Sequence, residues 1–124
     1  MSNIKTGKVG KITEKVINLL NLSINPDIPI FLGDTNIAHM KASHPSDFGK
    51  YGDSIPDIIE NPDYVGLNPK DNSIEYVKKF TTEKSFVMLA VRVSNKGKLF
   101  ARSIYEIKPN KAQRYINQGT LIKY

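Results

Sequence analysis

The run Phe86-Val87-Met88-Leu89-Ala90-Val91-Arg92-Val93 constrains this chain more than any other segment. It is rich in β-branched residues and apolar on both faces except at Arg92, so it reads as the central strand of a sheet. A lone arginine in such a strand needs a partner or a purpose, because an unpaired charge is costly to desolvate. Residues 73–80 and 98–107 read as neighbouring strands, joined to the central run by turns at 81–84 and 94–97. The three strands form an antiparallel meander.

Even-membered turns, the commonest hairpin class, set the register. Joining Asn95 to Lys98 pairs Ala90 with Ser103 and Met88 with Tyr105. Joining Phe80 to Ser85 pairs Val77 with Met88 and Glu75 with Ala90. Cross-strand partners share a face, and so do alternate residues along a strand. Glu75, Arg92, Ser103 and Tyr105 therefore share one face. Ile74, Tyr76, Phe80, Val87, Leu89, Val91, Val93, Phe100 and Ile104 fall on the other, which helices are expected to cover. Arg102 lands on that apolar side as a mismatch, expected to sit near an edge and reach outward. An odd-membered turn would break the grouping, since a one-residue slip inverts a face.

The N-terminal half reads as mainly helical. Residues 1–12 carry a thin Ile4/Val9/Ile12 pattern, suited to a short strand or a loose arm. Thr13 is placed to cap a helix over 14–22, and 28–32 form a short apolar strand. Thr35 is the expected N-cap of a second helix, which His44-Pro45 ends because the residue before proline leaves the helical region. Residues 46–51 read as a turn or short helix, 54–60 as a third helix, and 63–71 as a loop. Pro109 opens a last helix over 109–117, stopped at Gly119. Helices first and a meander after define an α+β class.

The 124 residues fit a single domain spanning 1–124. Hydrophobic residues make up 40% and charged residues 24%, ordinary globular proportions. The absence of cysteine excludes disulfide scaffolds, thiolate zinc sites and cysteine nucleophiles, and fits a reducing compartment. No apolar run approaches the roughly 20 residues needed to span a membrane. Residues 1–10 are polar and basic without a following apolar segment, so no secretory signal and a cytoplasmic location are expected. The net charge of +6, with a pI of about 9.5, favours polyanionic partners, nucleic acid first and acidic protein second.

His39 and His44 do not share a helix face, at about 100° per residue, so they are not a helical metal pair. By spacing alone, His39 reads as an ordinary helix histidine and His44 as a cap. Histidine is nonetheless the side chain best suited to proton exchange near neutral pH. Scission of RNA at the 2′-hydroxyl needs a base for that proton, an acid for the leaving 5′-oxygen, and cations for the charge on phosphorus. Histidine, glutamate, arginine, lysine and tyrosine supply those roles here. Arg92 and Arg102 suit bidentate phosphate binding. Asp57, Glu60 and Asp63 read as ordinary helix-surface acids, so no metal is expected, and no other cofactor is indicated.

Several blocks resemble the phage and mobile-element branch of the barnase–EndoU–colicin–RelE-like (BECR) nucleases. They are Gly33-Asp34-Thr35-Asn36-Ile37-Ala38-His39-Met40, His44-Pro45-Ser46-Asp47-Phe48, Ile58-Ile59-Glu60-Asn61-Pro62-Asp63-Tyr64-Val65, Ser73-Ile74-Glu75-Tyr76-Val77-Lys78, Val91-Arg92-Val93-Ser94 and Ala101-Arg102-Ser103-Ile104-Tyr105. The resemblance implies N-terminal helices packed on a C-terminal antiparallel β-sheet of about four strands. It also implies a metal-independent ribonuclease that leaves a 2′,3′-cyclic phosphate, with a toxin or effector role. Its site residues map to His39 or His44, Arg92, Ser103 and Tyr105. Glu75 is a second candidate base, and Lys79 and Arg102 are candidate substrate-binding residues. The expected partners are RNA, tRNA among the candidates, and an acidic immunity or antitoxin protein; no membrane is expected. The competing reading is a basic module that binds nucleic acid or an antitoxin without catalysis.

Overall fold

The computed structural model describes residues 4–82, 84–94 and 96–124. Its strands are β1 (Gly7–Lys11), β2 (Pro29–Leu32), β3 (Tyr64–Leu67), β4 (Ile74–Phe80), β5 (Ser85–Val93), β6 (Leu99–Ile107) and β7 (Leu121–Lys123). Its α-helices are α1 (Glu14–Leu20), α2 (Asp34–Ser43), α3 (Pro45–Tyr51), α4 (Ile55–Glu60) and α5 (Pro109–Asn117). The strands form one sheet in the order β1-β2-β6-β5-β4-β3-β7. The α+β class holds, but the sheet has seven strands where about four were expected. It is also mixed, because β2 runs parallel to β6. The extra strands come from short segments that carry too little alternation to stand out. Tyr64–Leu67, read as loop, pairs with β4 on one side and β7 on the other.

Local signals account for most helix ends. Thr13 Oγ1 accepts from the Val16 amide at 3.3 Å and caps α1. That helix stops at Leu20 because Asn21 turns left-handed, at φ 54°. The expected Thr35 cap is corrected: α2 begins at Asp34, and Asn36 Oδ1 reaches back to accept from the Gly33 amide at 2.8 Å. Among the described residues no helix is long and apolar enough to cross a membrane.

The larger core lies between the sheet and α1–α4. Val16, Met40, Phe48, Tyr51, Ile55 and Ile58 pack there against Tyr76, Leu89, Val91 and Ile104. Each such side chain, fully buried, contributes about 1.5–3 kcal/mol. A second cluster joins Val77, Met88 and Ile107 to Ala112 of α5 and Leu121. The face expected to be open is thus half-covered: α5 shelters its apolar end and leaves its polar end free.

The pairings Val77–Met88, Glu75–Ala90, Ala90–Ser103 and Met88–Tyr105 are all present. The expected Asn95–Lys98 junction lies outside the described residues. The route to the register differs from the expected one. Val93 pairs with Leu99, so the loop between them is odd-membered and slips the register by one. A β-bulge then cancels the slip: Ala90 faces Ser103 and Val91 faces Ala101, leaving Arg102 over. Arg92 consequently faces Phe100, which moves Phe100 to the polar face. Val93, expected under helices, is 48% exposed.

Beyond Phe100, no strand among the described residues pairs with β6 on its β2 side, since β2 reaches only Leu99 and Phe100. Helices α2 and α3 pack beside β6 there. Asp47 Oδ2 accepts from the Glu106 amide at 3.1 Å, satisfying an edge donor. Tyr51 bonds Ser85 Oγ at 2.8 Å and donates to Glu106 Oε1 at 3.1 Å.

Two glycines test this packing. A Cβ at Gly66 would collide with the Thr120 carbonyl oxygen of the neighbouring chain segment, whereas a Cβ at Gly49 in α3 meets nothing within 4 Å. Gly66→Ala is expected to lower the unfolding free energy by about 1–3 kcal/mol. Gly49→Ala is expected to raise it by about 0.5–1 kcal/mol. Urea denaturation followed by circular dichroism checks both.

Candidate active site

The bulge in β6 creates the site. By turning Arg102 out of the pairing ladder it sets a second guanidinium beside Arg92 on the polar face. Both line a cavity of about 640 Å³, together with His39 of α2, Asp71, Asn72 and Phe100. Arg92 Nη2 lies 3.8 Å from Asp71 Oδ2, both side chains being partly exposed at 39% and 38%. A pair this exposed adds little to stability. Its consequence is positional, since it holds Arg92 at the cavity wall. Asp71 is itself anchored, accepting from the Ser73 amide at 2.9 Å. Its pKa lies below the ordinary carboxylate value, mainly through hydrogen bonds from Ser73 and further through Arg92.

A second, smaller hollow of about 290 Å³ lies on the same face, lined by Glu75, Tyr105, Lys111 and Tyr115 among others. Glu75 is only 6% exposed. Asn68 Nδ2 donates to its Oε2 at a long 3.4 Å. Burial pushes the Glu75 pKa up; the Asn68 hydrogen bond opposes this, the Asp71 charge reinforces it, and Lys111 opposes it. The two cavities share the loop before β4: Asp71 and Asn72 line the larger one, and Asn68, Pro69 and Lys70 the smaller.

Tyr105 is half-buried, and its hydroxyl donates to Met88 Sδ at 3.2 Å. Burial first, and then the nearby Glu75 carboxylate, raise its pKa. The His44 ring stacks on Tyr105, with centroids 5.0 Å apart and planes inclined at 28°. His44 sits at the junction of α2 and α3, beside the edge of β6 that lacks a strand. Ser103 is half-buried on β6 opposite Ala90, between Arg102 and Tyr105.

The structure thus gathers His39, Arg92 and Arg102 in one cavity and Glu75 and Tyr105 in the next, with Ser103 between them and His44 against Tyr105. Lys79 is not brought to this site. It lies at the far end of β4, in a separate hollow with Lys50 and Lys78, its ammonium 5.7 Å from the centre of the Phe86 ring. Asp57 and Asp63 are occupied there: Asp57 pairs with Lys78 at 3.6 Å, and Asp63 accepts from the Lys79 amide at 2.6 Å. Sequence reasoning missed Asp71, Phe100, Lys111 and Tyr115. Only Asp71 left a local sign, an Asp-Asn-Ser turn at a strand entry.

The buried Glu75 makes stability depend on pH. Its folded pKa lies above the unfolded one, so its contribution is fullest below the ordinary carboxylate range and declines as pH rises through the folded value. Glu75→Gln removes that titration. The stability of this variant relative to the unmodified protein is expected to rise between about pH 4 and about pH 8. Chemical denaturation at the two pH values checks this, and a pH-independent difference would contradict it.

Comparison with known proteins supplies one further finding. No curated protein and no solved structure matches this chain. A family model does, over residues 7–114, from β1 to the middle of α5. That span contains every residue of the larger cavity together with Glu75, Ser103 and Tyr105. The chain belongs to the phage-Barnase-EndoU-ColicinE5/D-RelE like nuclease3 family.

Proposed function

We propose that this protein is a metal-independent endoribonuclease of a phage or mobile element, with a toxin- or effector-like role, acting in the cytoplasm. Family membership supports a nuclease activity in general. The observation that carries the RNA reading is the convergence of His39, Arg92 and Arg102 on one cavity, with the buried Glu75 adjoining it. Those groups meet the needs of phosphate transesterification by a neighbouring hydroxyl, a reaction open to RNA and closed to DNA.

The scissile phosphate lies between Arg92 and Arg102, whose forked donors match its oxygens. Glu75, whose raised pKa strengthens it as a base, takes the proton from the 2′-hydroxyl. The 2′-oxygen attacks phosphorus while the bond to the 5′-oxygen breaks, leaving a 2′,3′-cyclic phosphate. His39 gives its proton to the departing 5′-oxygen; His44 is the second candidate for that role. The two guanidiniums stabilise the pentavalent phosphorane, where charge accumulates. Ser103 and Tyr105 position the phosphate, and the His44 stack fixes the Tyr105 ring. Lys79 contacts the backbone of a longer RNA, tRNA being one candidate. An acidic immunity or antitoxin protein complements the same basic surface.

Cleavage of a labelled mixed-sequence RNA, in chelator, tests the roles. His39→Ala is expected to lower kcat about 10²–10⁴-fold, and Arg92→Ala about 10²–10³-fold. Lys79→Ala is expected to change KM and its salt dependence with kcat preserved. Undiminished cleavage by the His39→Ala/His44→Ala double variant rules out both histidine roles.

A further inference from the structure

The smaller hollow holds groups that proton transfer does not use. Beside Glu75 and Tyr105 it is lined by Asn68, Lys111, Tyr115 and Gln118. Met88 and Ile107 add an apolar surface beneath this polar, aromatic rim. Its volume of about 290 Å³ is at the small end of ligand pockets, roughly 300–1,000 Å³, and less than half that of the phosphate cavity beside it. Flat apolar faces with a hydrogen-bonding edge are the features of a nucleobase. Proteins that read single-stranded RNA stack such bases on aromatic rings and bond their edges with polar side chains.

Lys111 narrows the choice of base. Its ammonium sits 5.7 Å from the centre of the Tyr115 ring, and its charge acts on Glu75. An ammonium only donates, so where it faces a base's exocyclic group it favours a carbonyl oxygen over the amino group of adenine, which is itself a donor. Guanine, uracil and cytosine carry such an oxygen, and adenine does not.

We propose that this hollow is a base-selecting subsite that takes a carbonyl-bearing nucleobase, with Lys111 as the discriminating donor and Tyr115 as the aromatic wall. The inference rests on the ribonuclease reading given above. It also fixes which nucleotide is selected. The base hangs from the ribose carbon next to the one bearing the attacking 2′-hydroxyl. If Glu75 takes that proton, the base lying beside Glu75 belongs to the nucleotide 5′ of the scissile phosphate.

The test uses oligodeoxynucleotides carrying a single ribonucleotide, which fixes the attacked position. Cleavage is expected to favour guanosine, uridine or cytidine over adenosine there, by about 10–100-fold, the effect of one charged hydrogen bond. Lys111→Met is expected to reduce that preference, read as the ratio of cleavage rates within the variant, to within a fewfold. Equal cleavage of all four, or a preference that survives Lys111→Met, overturns the base subsite and leaves the ribonuclease reading standing. If nothing is cleaved, the ribonuclease reading fails, and nuclear magnetic resonance titration with the 3′-phosphates of deoxyguanosine, deoxyuridine and deoxyadenosine decides the subsite separately. Shifts at Lys111 and Tyr115 with the first two but not the third, the Tyr115 shifts being lost in Lys111→Met, uphold it. Absence of such shifts overturns it as well.

Discussion

The polar face depends on how β5 pairs with β6. The odd-membered loop after Val93 puts these strands one residue out of step, and the bulge at Arg102 brings them back. Either irregularity alone would turn Ser103 and Tyr105 towards the larger core. Together they keep those side chains on the polar face and add Arg102 to it. A bulge next to a site is a recurrent device, since it re-aims a side chain without dismantling the sheet. Here it lets Arg102 and its neighbour Ser103 both serve the polar side, which a regular ladder, alternating faces along the strand, could not do.

Charge on this face alternates. Asp71 holds Arg92 and is held by Ser73; its negative charge also opposes ionisation of the buried Glu75. Packing follows the same division. The α5 helix covers Met88 and Val77, giving Glu75 and Tyr105 a low-dielectric neighbourhood. The other end of the face, around Arg92 and Arg102, stays open to solvent and to a polyanion. A buried carboxylate beside an exposed cationic cavity is poor for stability and well suited to proton transfer at a phosphate.

The long periodic strands were legible in the sequence because burial on both faces leaves a strong pattern. The pairs Val77–Met88 and Glu75–Ala90 follow from the even turn at 81–84, whereas Ala90–Ser103 and Met88–Tyr105 hold only because the bulge cancels the odd loop. The short strands β3 and β7 were not legible, being too brief to show alternation and dependent on each other for pairing. The bulge was not legible either, though its trace was the misfit of Arg102 on an apolar face. The same misfit concealed the site, since Arg102 and His39 meet Arg92 only after the strand is kinked. Asp71, Lys111 and Tyr115 approach Glu75 through a loop and a helix whose placement no local spacing encodes.

The central claim is that these side chains cleave RNA by attack of its own 2′-hydroxyl. Mass spectrometry of the ends left on a mixed RNA oligomer, after incubation in excess EDTA, tests it most directly. The account predicts fragments ending in a 2′,3′-cyclic phosphate and paired with 5′-hydroxyl ends. Fragments with 5′-phosphate and 3′-hydroxyl ends, or intact RNA bound reversibly at low salt, would contradict it.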